Sequence, residues 1–203
     1  MTVPKSTAFE LSELILRKAP EYLDLLSPDD AVFEKAFDAQ LGRAVQGLET
    51  NSKNFAPLKE DGLTAALALA LAVPCIEVSQ QLHSNGHVDI TIKIQDCHLT
   101  RTKLGEAKIY DGPEWHFQGV KQLLGYSTGR ECRGLVIAYV KKANIEGLMK
   151  KVRERMDQDL PEQQQGVTTD LPSKWCFLSK HLHPSGAVVE IGHVGCNMHV
   201  VGE

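Results

Sequence analysis

Long hydrophobic runs are missing from this chain. The longest, Ala65 to Val73, falls short of the roughly 18 apolar residues that span a membrane and reads as a buried helix. Cysteine is scarce and badly spaced. There are five residues, Cys75, Cys97, Cys132, Cys176 and Cys196, with no C-x-x-C pair. An odd count without paired spacing suggests neither a disulfide framework nor a zinc ribbon, so reduced, mostly buried thiols are expected. The opening stretch MTVPKSTAFE has no basic region leading into an apolar one, so a secretion signal is not expected and the cytoplasm is. A Gly-rich loop that would cradle phosphate is also lacking, which argues against small phosphoesters as substrates. No internal repeat is present.

What remains is ordinary globular material. The chain has 203 residues, 42% hydrophobic and 24% charged, enough to bury a core without staples and suited to one domain with a helical extension. Net charge is −4, which by itself argues against a generic nucleic-acid binder. The distribution is uneven: residues 1–85 hold 7 basic and 12 acidic side chains, residues 86–155 hold 13 and 8, and residues 156–203 hold 2 and 6. A basic middle between acidic flanks suggests a phosphate-facing surface, although the solvated helix face from Lys141 to Arg155 accounts for part of it.

Periodicity divides the chain. Apolar positions at helical spacing (Leu11, Leu14, Ile15, Tyr22, Leu25, Leu26) predict helix over 8–26, split at Pro20. Ser27-Pro28-Asp29-Asp30 predicts an N-cap with proline in the first turn. A helix follows with Val32, Phe33, Phe37, Leu41, Val45 and Leu48 on one face. Residues 51–57 read as a polar loop, and 59–71 as a central helix, apolar nearly all round. From residue 76 the period changes to two. Strands are expected at 76–83 and 87–94, joined by a Ser84-Asn85-Gly86 turn, and at about 104–109, ended by Asp111-Gly112-Pro113. A helix over 115–128, a strand GLVIAYV buried on both faces, a helix after an Asn144 cap, a polar linker over 157–171 and two or three closing strands complete the series. This order predicts an α/β fold with a mixed sheet and an antiparallel start.

The chemistry concentrates in GHVDITIKI and GEAKIYDG. Residues two apart in a strand share a face, so Glu106 and Lys108 point to one site, which Asp89 on the neighbouring strand completes. Two carboxylates hold one or two hard divalent cations. The metal acidifies water and offsets phosphate charge, and a lysine orients the water or stabilises the developing oxyanion. The backbone carbonyl of Ala107 is a further candidate ligand.

This pattern resembles the signature of the PD-(D/E)xK nuclease superfamily over about residues 58–142, with Val88 at the position of the name-giving proline. The resemblance implies a restriction-endonuclease-like mixed β-sheet core flanked by helices. It divides the chain into an N-terminal helical extension (1–57), a nuclease core (58–156), and a linker with C-terminal strands completing the same domain (157–203). It also implies a metal-ligating glutamate from the preceding helix, here Glu60, though Asp61 stands beside it. Gln122-Leu123-Leu124-Gly125-Tyr126 is similar to the Q-x-x-x-Y motif of RecB-type nuclease domains, so Gln122 and Tyr126 join the candidate catalytic set. The implied cofactor is Mg²⁺ or Mn²⁺, and the implied substrate is DNA before RNA. The implied setting is bacterial defence against phage beside a helicase, ATPase or sensor, with a homodimer as the common assembly.

Other side chains have plainer readings. His181, His183, His193, Cys196 and His199 are zinc-ligand types, but their spacing matches no tight motif and ordinary polar strand positions account for them. His116 reads as a helix-surface histidine, and Gln118 and Lys121 as solvated. A second function class stays open. The chain would then be a non-catalytic subunit with a nuclease-like fold whose acidic helices, residues 8–50, dock a partner protein.

Overall fold

The computed structural model describes residues 7–74, 76–83, 87–95, 100–131 and 133–200. In chain order its elements are α1 (Ala8–Lys18), α2 (Glu21–Asp24), α3 (Asp30–Thr50), α4 (Ser52–Phe55), α5 (Glu60–Leu71), β1 (Ile76–His83), β2 (His87–Gln95), β3 (Thr100–Ile109), α6 (Pro113–Tyr126), β4 (Gly134–Val140), α7 (Ile145–Asp159), β5 (Thr169–Asp170), β6 (Cys176–Leu182) and β7 (Val188–Asn197). The run GLVIAYV forms β4, buried along its whole length, and a strand with two covered faces belongs at the centre of a sheet. The seven-stranded sheet has the order β1-β2-β3-β4-β7-β6-β5. Its middle pairs, β3–β4 and β4–β7, are parallel, while both flanks are antiparallel. The molecule is therefore α/β with a mixed sheet, and its C-terminal strands enter that same sheet.

Helices cover both faces. On one, α3 and α5 bury Phe33, Phe37, Leu63 and Leu67 against Ile90, Ile92, Ala107 and Ile137. Each such side chain contributes roughly 1.5–3 kcal/mol on removal from water. On the other face, α6 and α7 pack through two clusters, around Leu104, Val120 and Val136 and around Val140, Met149 and Val152.

Several sequence expectations need correction. Asp29 rather than Ser27 caps α3, so Pro28 lies before the cap; the Asp29 carboxylate accepts from Ala31 N and Val32 N. Val32 sits at the edge of the α3 stripe and is 38% exposed. Residues 51–57 contain the short helix α4, because Phe55 finds partial cover against the core. Helix α5 is one-sided, with Leu69 79% exposed. The Ser84-Asn85-Gly86 turn lies outside the described residues.

The stretch 157–171 is not a linker. Helix α7 runs on to Asp159, and the chain then turns through left-handed residues at Leu160, Glu162, Gln163 and Gly166. Asp157 accepts from Thr168 N at 2.7 Å, and Gln165 N donates to Lys180 O at 2.7 Å. Polar side chains and backbone thus satisfy one another against β6, which is why the composition looked unstructured.

Part of the basic middle is covered, while Lys121, Arg130 and Lys151 stay exposed. Arg101 pairs with Asp30, Lys103 with Glu34, and Arg133 with Glu34, Asp38 and Glu190. The acidic helix α3 neutralises the basic strands it covers. Arg153, Arg155 and Lys142 likewise meet carboxylates.

Strands β2 and β3 pair only as far as Ile90 and Gly105. A Cβ on Gly105 would lie 2.3 Å from Ile90 Cγ2, so glycine sets the closest approach of the two strands there. Gly105→Ala is expected to destabilise the fold by about 1–3 kcal/mol, read as a lower thermal midpoint. An unchanged midpoint would show that β2 can slide aside.

Candidate active site

Beyond Ile90 and Gly105 the β2–β3 ladder ends, and the next inward-facing amides of β3 need other acceptors. Carboxylates supply them. Ala107 N donates to Asp89 Oδ2 at 2.9 Å, and Ile109 N donates to Glu60 Oε2 at 2.9 Å. The N–H and C=O of one strand residue leave by the same edge, so the Ala107 carbonyl opens on this split too.

Glu60 is held in place from behind. Thr64 Oγ1 donates to Glu60 O at 2.9 Å, and the buried Tyr139 hydroxyl donates to Thr64 Oγ1 at 3.3 Å. Lys141 Nζ donates to the carbonyls of Ala56 and Leu58, fixing the approach to α5. Asp61, the alternative to Glu60, is exposed.

Lys108 stands among three carboxylates. Its ammonium lies 3.8 Å from Glu60 Oε1, 3.8 Å from Asp89 Oδ2 and 3.4 Å from Glu106 Oε2. One positive charge faces three negative ones, and the deepest carboxylate shows the imbalance. Glu106 is 1% exposed. Burial first, and the neighbouring Asp89 charge second, push its carboxyl up to about 8, against the opposing pull of Lys108. Lys108 is raised as well: burial alone would lower its pKa, but Asp89, Glu106 and Glu60 outweigh it, so it stays an ammonium.

Glu106 Oε1 is buried with no hydrogen-bond partner. A buried acceptor left bare calls for an explanation, and an unfilled ligand position is one. Among the described residues no three acidic, histidine or cysteine side chains already surround a common ion position, because the carboxylates converge on Lys108. The donor set, carboxylate oxygens and a backbone carbonyl with excess negative charge, fits a hard divalent cation.

Helix α6 borders the split. A Cβ on Gly119 would meet Val136 Cγ1 at 3.2 Å and Lys108 Cγ at 3.8 Å, so the missing side chain lets the helix lie close over β3. Sequence reasoning overlooked Gly119; a lone glycine inside a helical pattern was its only signal. The Q-x-x-x-Y residues are only partly drawn in. Tyr126 packs half-buried against the cluster that contains Val88, and Gln122 is exposed on the same flank of α6. Neither joins the Lys108 cluster through a hydrogen bond or ion pair.

His116 is not a surface residue: it is 2% exposed. It belongs to a buried chain of neutral groups. His116 Nε2 and His193 Nδ1 are 2.8 Å apart, His193 Nε2 and Ser179 Oγ 2.7 Å, Ser179 Oγ and His181 Nε2 2.7 Å, and His181 Nδ1 and the Glu162 carbonyl 3.0 Å. The carbonyl can only accept, so His181 donates to it, Ser179 to His181, His193 to Ser179 and His116 to His193. Burial lowers the pKa of all three imidazoles, that of His116 to about 4. The strand histidines His181 and His193 are thus buried and satisfied within this chain rather than ordinary polar strand positions, while His183 bonds Ser185 Oγ and Ser127 O. The Cys176 and Cys196 thiols are free, and burial raises both.

Comparison with protein-family models, with curated proteins and with solved structures finds no match. The functional reading therefore rests on geometry and on the resemblance carried by Asp89, Glu106 and Lys108.

Proposed function

We propose that the chain is a metal-dependent nuclease of restriction-endonuclease-like fold that hydrolyses phosphodiester bonds, DNA before RNA. The observation that carries this reading is the split between β2 and β3. There Glu60, Asp89 and Glu106 meet Lys108, and one buried carboxylate oxygen has no partner. An antiparallel β1–β2–β3 set followed by a parallel β4 adds support.

Asp89, Glu106 and the Ala107 carbonyl would hold Mg²⁺ or Mn²⁺, with Glu60 assisting. Bound there, the cation supplies Lewis-acid polarisation and an acidified water. The chain's own residues do the rest. Asp89 and Glu60 are oriented by the β3 amides, so they need no reorganisation at the moment of reaction. Lys108 holds its proton and donates to the attacking water or to charge developing on phosphate oxygen. The Ile90–Ala107 side of the split is dry, which strengthens each of these contacts.

The test is incubation of purified protein with plasmid, linear DNA and RNA in Mg²⁺, Mn²⁺ or EDTA. Cleavage in either metal and none in EDTA is expected. A folded protein that leaves every polymer intact in both metals ends the reading.

One observation favours the second reading, a docking subunit. Helix α1 leaves Phe9, Leu11, Leu14 and Leu16 exposed at 70%, 50%, 44% and 56% on two sides of the helix, apolar side chains of the kind that a partner covers. An inert but folded protein in the cleavage assay would favour that reading over the first.

A further inference from the structure

Helix α6 has two flanks. His116 turns towards β7, where it meets His193. Gly119 faces Lys108 and Val136. At about 100° per residue, Trp115, Gln122 and Tyr126 fall within about 40° of one another, on the Gly119 side of the helix and away from β7, which is the side of β3 and β2. Tyr126, on the same flank, packs against the cluster containing Val88 of β2, which fixes the direction independently. Because α6 links two parallel strands it runs back against β3, so its start lies by the Lys108–Ile109 end. Glu60 enters at that same end. Trp115 stands one helical turn before Gly119, about 6 Å along the axis.

Trp115 is 44% exposed, whereas the described aromatic side chains of the core are covered. Its indole makes no aromatic or cation contact within the described residues. Its neighbour Glu114 pairs with Arg155 at 2.9 Å, a guanidinium that also meets Asp159 at 2.7 Å. On this flank the cleft wall offers a flat apolar face with the Gln122 amide two turns beyond it.

We propose that Trp115 is a stacking platform for an unpaired base next to the carboxylate cleft, and that the substrate is single-stranded nucleic acid. The inference rests on the nuclease reading for the identity of the cleft. A duplex presents its base faces sealed within the stack. A single strand presents open base faces, and each stacks on an aromatic side chain whatever its sequence. The spacing also suits it: an indole one turn from Gly119 reaches the base of the nucleotide next to the one whose phosphate lies at Lys108.

The experiment uses oligothymidylate and a blunt duplex of equal length, in EDTA so that nothing is cut. Intrinsic fluorescence follows binding by wild type, Trp115→Phe and Trp115→Ala. Trp115→Phe keeps an aromatic face and leaves Trp175 as the sole indole. Saturable quenching of wild type by oligothymidylate is expected, absent in Trp115→Phe. Affinity measured by anisotropy of labelled oligomer should fall by about tenfold or more in Trp115→Ala and largely persist in Trp115→Phe. Equal affinity of wild type and Trp115→Ala, or a duplex bound as tightly as the single strand, overturns the inference even if cleavage is normal. Quenching and single-strand preference without cleavage in any metal would instead refute the nuclease reading and leave the platform standing. Absence of all binding refutes the platform, while the nuclease reading is decided by cleavage.

Discussion

Lys108→Ala is expected to lower metal-dependent cleavage by about 10²–10⁴-fold without abolishing metal binding. The ammonium sits within 3.4–3.8 Å of all three carboxylates, so two effects of the substitution are separable. Loss of the donor beside the reacting phosphate removes an interaction that strengthens as charge develops, which lowers turnover. Loss of a cation that competes for the same oxygens leaves the carboxylates more negative, so the affinity for Mn²⁺ should hold or rise. Asp89→Ala makes the complementary pattern. It removes a ligand and also strips the Ala107 amide of its acceptor, so both cleavage and Mn²⁺ affinity should collapse. Calorimetric Mn²⁺ titration beside plasmid cleavage checks the pair. If Lys108→Ala cuts as well as wild type, the cluster is an ion-pair network and not a reaction centre. If it loses metal and activity together, Lys108 supports the site without taking part in the chemistry.

In the absence of metal, stability is expected to peak near pH 6.5 and to fall on both sides. Glu106 governs the alkaline limb. Its folded-state carboxyl titrates at about 8 against an ordinary 4.5, so the folded protein keeps a proton that the unfolded chain releases. The resulting stabilisation is complete below about 4.5 and is lost as pH rises to about 8, on the order of a few kcal/mol in all. The histidines govern the acid limb. His116, His181 and His193 all titrate below the ordinary 6.5 in the fold, His116 at about 4. The unfolded chain takes up protons that the buried relay refuses, so their contribution is present above about 6.5 and disappears as pH drops towards 4. Three imidazoles acting together make this limb the steeper one. Thermal midpoints across pH 4–9 in EDTA test both limbs. Glu106→Gln should flatten the alkaline limb and leave the acid limb alone; a decline that persists in that variant would assign it to another group.

The order of elements was legible because period and punctuation are local signals: Pro20 splits α1 from α2, Asn144 caps α7, and Gly186 turns β6 into β7 with φ at 86°. Strand alternation put Glu106 and Lys108 on one face, and the hairpin before Asp89 together with the family resemblance brought in the third residue. Other features depend on contacts between distant parts of the chain. Glu60 and Asp61 are equivalent as helix-start acids, and only the free amide of Ile109 distinguishes them. His116 looks like a surface residue until β7 brings His193 beside it. Residues 157–171 look like a tether because their partners, Lys180 and His181, come later. The basic excess over residues 86–155 looks like a phosphate surface because the acids that neutralise it, Asp30, Glu34 and Asp38, lie some seventy or more positions earlier.

The place of β7 in the sheet bears on how the molecule is made. The strand is the last of the seven along the sequence, yet it lies beside the central strand β4 and carries β6 and β5 on its other side. All groups of the cleft, residues 60–108, emerge long before it. Until Val188–Asn197 arrives, one edge of the wholly apolar GLVIAYV strand has no partner, and a bare apolar edge is a template for pairing with other chains. Folding of this sheet therefore waits on distant contacts, which slows it. A nascent chain would hold its carboxylates in hand with no rigid β4 behind β3 to aim them.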